Sequence, residues 1–376
     1  MRVAHGVFDG KWTWPDGGPE GSQLVLAFGS PEGIRTPRVW EALSEQAGPR
    51  SVVVGCTTAG HIAGSRLVDA PIAATAIRFA HTRVTVVSAP VTAATSFDAG
   101  KHLAAQLQDD DLCHVLLLSE GVDVSGSALA DGLSLGLPRG VRVTGGLAGD
   151  DGHFASTLTV LGTGLAASRA LAIGLHSRRL RVGFASVGGW DPFGPERLVT
   201  HAEGCTVFRL DGKPALPLYR RYLGPMADDL PRAGLFFPLA VRQGDRPAVV
   251  RTLLGVDEVA EALRFAGSVP TGSVARLMKA NVHRLTEGAG AAGARAREAL
   301  GCEPEFGLLV SCVGRKLVLR QRVEEELECV ANSVGAHVPL CGFYSNGELC
   351  PSPEQAVCDL HNQTMTVTVM SEADHE

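Results

Sequence analysis

The residues best suited to chemistry lie near the C-terminus, in two segments that are close in sequence. Residues 338–349 read Val-Pro-Leu-Cys-Gly-Phe-Tyr-Ser-Asn-Gly-Glu-Leu, which predicts a buried strand that runs into a Gly-bracketed turn. A second strand follows three polar residues, His361, Asn362 and Gln363. Because glycines let a ligand approach backbone N–H groups, a Gly turn beside a polar strand head predicts a binding site.

Four side chains in this region could hold a small polar ligand, and each has a structural alternative. Glu348 can bind a ligand amine, or it can cap a turn. Arg315, after a predicted strand at residues 306–312, suits a ligand carboxylate, but a solvated turn arginine is the equal alternative. Tyr344 can donate a hydrogen bond to a ligand. His361 could contact a ligand, bind a metal, or hydrogen-bond a turn carbonyl as a structural histidine.

The nine cysteines offer a second kind of chemistry. Cys56 is followed by Thr57, Thr58 and His61, and Cys312 ends an apolar strand, so either thiol is a candidate nucleophile. A Cys–His pair also needs spatial adjacency and an oxyanion hole, and the sequence shows neither. No C-x-x-C motif is present, so buried cysteines in a reducing compartment are the favoured interpretation.

Weaker motifs lead to weaker hypotheses. Asp150-Asp151-Gly-His153 has oxygen and nitrogen metal ligands, but a β-turn is the commoner use of these residues. The dipeptide Cys350-Pro351 is similar to one found in haem-regulated proteins and lies near His361. The Gly turns fit neither the dinucleotide-binding nor the phosphate-loop pattern, so nucleotide binding has little support.

The elements that position these residues form a pattern that occurs three times. The Gly turn in residues 338–349 has counterparts in residues 51–60 and 141–150, each preceded by an apolar strand and a helical segment and followed by another strand. We therefore predict an α/β (α+β mixed) fold of mixed β-sheets with flanking helices, built from duplicated strand–helix–strand–Gly turn–strand units. We expect the turns to converge on one pocket, which adds Cys56, Thr57 and Gly146 to the candidate ligand-binding residues.

Length and composition set the remaining limits. A chain of 376 residues suggests two domains, which we place at 22–190 and 191–376 after an N-terminal arm at 1–21. The net charge of -6 gives no reason to expect nucleic-acid or anionic-membrane binding. No apolar run is long enough to span a bilayer, and the N-terminus lacks a signal-peptide core. Only five of the 34 basic residues are Lys, which indicates a high-GC bacterial genome. Without an apolar span or a signal-peptide core, a bacterial cytoplasmic protein is the expectation.

Several short segments occur in a fixed order along the chain: Gly55-Cys-Thr-Thr-Ala-Gly60, Ser119-Glu-Gly-Val122, Thr144-Gly-Gly-Leu-Ala-Gly-Asp150, Leu253-Leu-Gly-Val-Asp257, Ser311-Cys-Val-Gly-Arg315, Gly342-Phe-Tyr-Ser345 with Gly347-Glu348, and His361-Asn-Gln-Thr364. Together these segments resemble the FIST family, whose name denotes F-box and intracellular signal transduction. The resemblance extends from about residue 22 to 372, with an N-terminal FIST N-like half and a C-terminal FIST C-like half.

The resemblance implies a sensory protein that binds a small ligand, with an amino acid as the ligand, and has no catalytic activity. No kinase, receiver, cyclase or F-box segment is present, so the output is expected to pass through a separate signalling partner. One alternative is a haem-binding nitric-oxide sensor that regulates a histidine kinase; a second is a thiol-dependent enzyme using Cys56 or Cys312. The chain departs from the family pattern at His61, Glu120 and Asn346, so its ligand could differ, and no cofactor is assigned.

Overall fold

Four β-sheets with helices packed against them make up the described part of the chain, residues 1–351 and 357–372 of a computed structural model. The helices are α1 (Pro31–Ile34), α2 (Val39–Ala47), α3 (Ser96–Gln106), α4 (Gly126–Gly136), α5 (Ala215–Leu223), α6 (Val282–Leu300), α7 (Val313–Leu319) and α8 (Val323–Val334), with three-ten helices at Gly224–Asp229, Arg232–Phe236 and Arg320–Arg322.

The strands follow the chain in two groups. Those of the first half are β1 (Arg2–Phe8), β2 (Trp12–Thr13), β3 (Leu24–Gly29), β4 (Val52–Thr57), β5 (His61–Ala63), β6 (Arg66–Leu67), β7 (Ile72–Arg78), β8 (Arg83–Pro90), β9 (Leu112–Ser119), β10 (Arg142–Leu147), β11 (Thr159–Leu161), β12 (Gly164–Ala166), β13 (Arg169–His176) and β14 (Arg181–Val187). Those of the second half are β15 (Asp191–Glu203), β16 (Thr206–Leu210), β17 (Lys213–Pro214), β18 (Leu239–Arg242), β19 (Val249–Arg251), β20 (Leu253–Asp257), β21 (Ala262–Phe265), β22 (Val274–Lys279), β23 (Phe306–Cys312), β24 (Leu340–Ser345), β25 (Gly347–Pro351), β26 (Cys358–His361) and β27 (Met365–Ser371).

The predicted mixed sheets and repeated units are confirmed. In each unit a central strand lies parallel to the strand before the Gly turn and antiparallel to the strand after it. These trios are β4-β3-β7, β10-β9-β13 and β24-β23-β27. An outer antiparallel strand extends each trio: β1 beside β7, β8 beside β13, and β14 beside β27. The strand β1 lies within the segment predicted as an N-terminal arm.

Each unit also lends a hairpin to a neighbouring sheet. The hairpin β5–β6 of the first unit pairs with β24, β11–β12 of the second pairs with β4, and β25–β26 of the third pairs with β10. The exchange is cyclic, so every one of the three sheets contains strands from two units. The fold therefore has an internal pseudo-threefold arrangement in which the two halves of the chain are interlocked.

One glycine in each unit makes the close approach of the parallel strands possible. Gly55, Gly145 and Gly342 occupy equivalent positions, each opposite the central strand of its own trio. A Cβ on Gly55 would lie 1.8 Å from the Ala27 carbonyl oxygen, and one on Gly342 would lie 2.0 Å from that of Leu309. No larger residue fits at these positions without moving backbone.

The inner faces of the three sheets share one apolar core, which includes Leu26, Phe28, Leu116, Phe306 and Phe343. The Phe28 and Phe343 rings stack with centroids 4.5 Å apart, which joins the first and third units. The outer faces are covered by α2, by α3 with α4, and by α6 with α8. The helical segments predicted before the three Gly turns correspond to α2, to α4 and, in the third unit, to α7 with α8.

The fourth sheet is an antiparallel insertion between β14 and α6. It has its own apolar core, to which α5 contributes Leu216 and Tyr219. At its edge, β18 and β19 form an antiparallel hairpin that pairs residues 239–241 with residues 249–251. Within the described residues, no helix combines the length and the apolar character needed to cross a membrane.

Candidate functional site

The three Gly turns meet at one end of the sheets and hydrogen-bond to one another. The bonds run from Ala59 N to Tyr344 O at 2.9 Å, from Gly149 N to Thr57 O at 2.9 Å and from Asn346 N to Leu147 O at 3.2 Å. Each unit donates to its neighbour, so the ring follows the same cyclic order as the strand exchange. These three N–H groups are thus occupied by protein acceptors.

Three of the predicted site residues form a row across the seam between the second and third units. Gly146 of β10 lies opposite Glu348 of β25, and Glu348 lies opposite His361 of β26. Directly opposed residues on antiparallel strands have their side chains on the same face, with Cβ atoms about 5 Å apart. The structure therefore brings Glu348 and His361 together, although they are separated by twelve residues in sequence.

Glu348 is fully buried and held by hydroxyl and amide donors rather than by a cation. Its Oε1 accepts a hydrogen bond from the Ser345 hydroxyl at 2.9 Å, and its Oε2 accepts from the Thr364 backbone N–H at 3.1 Å and hydroxyl at 2.8 Å. Burial raises the pKa of Glu348 to about 8, and these hydrogen bonds and the more distant Arg315 only partly oppose that shift. Burial therefore favours the neutral carboxyl over the carboxylate.

Asn362 is fully buried, and neither its Oδ1 nor its Nδ2 has a hydrogen-bond partner among the described residues. An amide buried without partners costs roughly 1–3 kcal/mol on the scale of protein mutations. The next residue, Gln363, has a φ of +63°, which is uncommon for a side chain other than Gly or Asn. Such features concentrate at binding sites, and here they lie at the head of β27.

Arg315 is fully buried, and all five of its N–H donors are used by the protein. Nε and Nη2 donate to Glu326 Oε2 at 3.0 and 2.6 Å, and Nη2 also donates to the Leu285 carbonyl at 2.7 Å. Nη1 donates to the carbonyl oxygens of Gly188 and Gln363. In this arrangement Arg315 has no free donor for a ligand carboxylate.

Tyr344 belongs to the same buried network. Its hydroxyl donates to Glu326 Oε1 at 2.7 Å, and Ser311 donates to the same oxygen at 3.1 Å. Sequence reasoning missed Glu326, which lies on α8 as one of three consecutive glutamates. Its position on the buried face of that helix was the signal that could have identified it.

Cys56 and Thr57 lie on β4, away from the row that contains Glu348. The Thr57 hydroxyl accepts from the Leu158 backbone N–H at 3.0 Å, and the Cys56 thiol is in the apolar core between the sheets. Burial raises the pKa of Cys56 and that of Cys312 well above the ordinary thiol value. Neither environment favours the thiolate that nucleophilic catalysis needs.

His361 presents a constrained imidazole. Its Nε2 lies 3.0 Å from the Cys350 carbonyl, to which it donates, and burial lowers the pKa of the ring, so the neutral form dominates at pH 7. Coordination of a haem iron through Nε2 would require the loss of that hydrogen bond. The arrangement therefore does not fit haem ligation through this nitrogen.

A cavity of about 370 Å³ lies beside this row, where the sheets built on β9 and on β23 meet the inserted sheet. His361 and Thr364 line it, and the hairpin β18–β19 of the inserted sheet forms the opposite wall. Thr364 thus connects the cavity to Glu348, because its backbone N–H and its hydroxyl both donate to that carboxyl. Arg251 of β19 also lines the cavity; a charged residue in an otherwise apolar strand was a sequence signal for it that went unused.

The fold and cavity define a protein of interlocked α/β units with a small-ligand-sized site, and comparison with known families identifies it further. The FIST N domain model matches residues 23–213 and the FIST C domain model matches residues 215–351. The chain therefore belongs to the FIST family, whose domains are signal-transduction sensor domains that bind small ligands.

Two uncharacterized proteins of Mycobacterium tuberculosis, from strains CDC 1551 and H37Rv, are similar to the chain. Each is 28% identical over 248 residues, a region that covers 63% of this chain and 63% of the relative. The match therefore spans less than two thirds of the length of either curated relative.

Proposed function

We propose that this protein is a cytoplasmic sensor that binds an amino acid in the cavity beside His361 and Thr364, without catalysis, and signals through a separate protein such as a histidine kinase. The observation that carries the proposal is the cavity itself, at the head of β27 and backed by the buried carboxyl of Glu348. The unpartnered amide of Asn362 at the same strand head supports it.

The position of the cavity in the fold also supports the proposal. Ligands of open α/β sheets bind beyond the carboxyl ends of the parallel strands. The helix α4, which begins soon after the carboxyl end of β9, contributes Ser127 and Asp131 to the cavity. The Ser127 hydroxyl is buried and has no partner among the described residues.

A ligand in this cavity has a structural route to the rest of the molecule. Thr364 directly follows Gln363, whose carbonyl accepts hydrogen bonds from Trp190 at 2.8 Å and from Arg315 at 3.4 Å. A shift at Thr364 would therefore act on the Arg315 network and, through Trp190, on the start of the inserted sheet. A connection of this kind is what a sensor needs in order to couple ligand binding to a second conformation.

Thermal unfolding with a panel of amino acids and hemin tests the proposal. A binder should be stabilised by about 2.7 kcal/mol at a hundredfold excess over Kd. Thr364→Val should abolish that stabilisation, whereas Thr286→Val, a buried threonine on α6, should retain it.

A Soret band that is lost in His361→Ala would support the haem sensor instead. Turnover abolished by Cys56→Ala or Cys312→Ala would sink the sensor proposal.

A further inference from the structure

Arg251 is the one charged side chain that the inserted sheet buries in the cavity wall among the residues the structure describes. Its side chain is only 4% exposed. Its Nε donates to the Ser268 carbonyl at 3.1 Å and its Nη1 to the Leu360 carbonyl at 2.7 Å. These bonds fix the guanidinium against β26.

The third guanidinium nitrogen of Arg251, Nη2, is not held by a backbone carbonyl as Nε and Nη1 are. The closest anionic group to Nη2 is Asp359 Oδ1, at 3.9 Å, which is beyond hydrogen-bond distance. A buried guanidinium with open N–H groups toward a cavity is suited to a planar anion such as a carboxylate. This cation was absent from the site residues expected from the sequence.

Two carboxylates face the same cavity from the other side. Asp131 comes from α4 and Asp359 from β26. The pKa of Asp131 is raised, mainly by burial and then by the negative charge of Asp359. The positive charge of Arg246 opposes that shift, and the effect of Asp359 shows that the two carboxylates repel each other. A ligand ammonium between the two carboxylates would relieve their repulsion.

Part of the remaining wall is apolar. The inserted sheet and its loops contribute Val241, Pro247, Val249, Val250 and Pro270. With two arginines and two aspartates at its polar side, the cavity is balanced in formal charge. A ligand with a net charge would leave one of these groups without compensation.

We propose that the ligand is a zwitterionic amino acid with a neutral aliphatic side chain, whose carboxylate binds Arg251 and whose ammonium lies between Asp131 and Asp359. Its side chain packs on the valines and prolines of the inserted sheet. This inference rests on the proposed function and assigns the charge-reading role to Arg251, not to Arg315.

Calorimetric titration with matched ligands tests it. L-Leucine or L-valine should bind the wild type, and L-glutamate and L-lysine should bind at least about tenfold more weakly. Isocaproate, which is leucine without its amine, and isopentylamine, which is leucine without its carboxylate, separate the two contacts. Competition against leucine gives the same ratios where direct heats are small.

Two variants that each remove one charge should then lose affinity selectively. Arg251→Gln should weaken leucine at least about tenfold but leave isopentylamine unchanged. Asp359→Asn should weaken leucine but leave isocaproate unchanged. The matched control is Asp111→Asn, because Asp111 also pairs with an arginine and is similarly exposed, at 48% against 43% for Asp359.

The results separate this inference from the proposed function. Tighter binding of glutamate or lysine than of leucine would overturn the aliphatic class while a sensor of amino acids stands. Equal loss of both fragments in either variant would show that the residue only supports the fold, and would overturn the assigned contacts. Binding of no amino acid would overturn the proposed function itself.

Discussion

Arg315 and Glu326 form an ion pair in which neither side chain is exposed to solvent. Removal of one partner would leave the other charge buried without compensation, which typically costs about 3–5 kcal/mol. We therefore expect Arg315→Met to lower the free energy of unfolding by that amount, measured by urea denaturation. Arg322→Met, which removes a half-exposed pair with Glu325, should cost less than about 1 kcal/mol.

Ligand titration of the same variant distinguishes the two roles of Arg315. If Arg315→Met kept its stability but lost amino-acid affinity, the residue would bind ligand directly, as the sequence analysis allowed. Loss of stability with ligand affinity unchanged at low temperature would identify a structural arginine.

Glu348 should make stability depend on pH. Its folded pKa of about 8 lies above the ordinary glutamate value of 4.5, so the native state binds the proton more tightly. The stabilisation is fully present below about pH 4.5 and is lost as pH rises through about 8. Wild-type stability should therefore fall on the order of a few kcal/mol more than that of Glu348→Gln between these limits.

The measurement is urea unfolding of both proteins at a series of pH values. The difference between the two curves isolates Glu348 from the other titrating groups. Glu325→Gln serves as the control, since that carboxylate is about half exposed and paired with Arg322. Parallel curves for wild type and Glu348→Gln would contradict a raised pKa.

At the residue scale, the sequence predicted which side chains of one repeat unit lie together better than it predicted the partners of Arg315. Glu348 and His361 are neighbours as expected, because both flank turns of one repeat unit. Whether Arg315 faces a ligand or Glu326 depends on how α8 packs over β23, and no local pattern contains that information. Arg251 likewise reaches the cavity only through the placement of the inserted sheet.

At the scale of elements, the repeated trios were predictable and the exchanged hairpins were not. Runs such as Leu24–Gly29 and Phe306–Cys312 are apolar and end near glycines, so the local sequence is enough to predict that they form strands. The hairpin strands β5 and β11 have three residues each and pair across more than a hundred positions of the chain. Short strands of this kind carry almost no periodicity.

The equivalent glycines give an element-scale prediction. A methyl group at Gly55 would meet the Ala27 carbonyl oxygen at 1.8 Å, so Gly55→Ala must push β4 away from β3. Overpacking of this kind typically costs about 1–3 kcal/mol, and Gly342→Ala should behave alike. Gly164→Ala is the control, because its nearest neighbour would be 3.4 Å away.

Thermal or urea unfolding of the three variants provides the comparison. Similar losses at Gly55 and Gly342 with none at Gly164 would support equivalent roles in the repeat. If Gly55→Ala left the free energy of unfolding unchanged, the parallel strands would tolerate separation, and the glycine would not be needed for their close approach.

At the scale of the whole molecule, one of the three equivalent seams differs from the other two. Glu348, His61 and Thr159 occupy matching positions on the exchanged hairpins. Only Glu348, among these, carries a carboxylate, and its hairpin is the one that Arg251 of the inserted sheet contacts. The insertion covers one of the three equivalent seams, so that seam differs from the others in both its side chains and its surroundings.

Because the inserted sheet leaves and re-enters the three-sheet core at neighbouring residues, it can be deleted from the chain. Asp191 of β15 lies directly opposite Lys279 of β22, so the chain can be closed there. Replacement of residues 192–278 by Asn-Gly, a favoured two-residue hairpin turn, keeps Trp190 and Asn281 in place. The excised segment holds its own apolar core, so the three-sheet core loses few of its packing partners.

The shortened protein should fold with mixed helix and strand content and unfold in one transition, because the exchanged hairpins still interlock the three sheets. It should show no amino-acid stabilisation, since Arg251 and the apolar wall of the cavity are gone. Circular dichroism and thermal unfolding with the ligand panel measure both properties. Retained ligand binding would place the site elsewhere in the core, and failure to fold would mean that the inserted sheet is needed to complete the fold as well as the cavity.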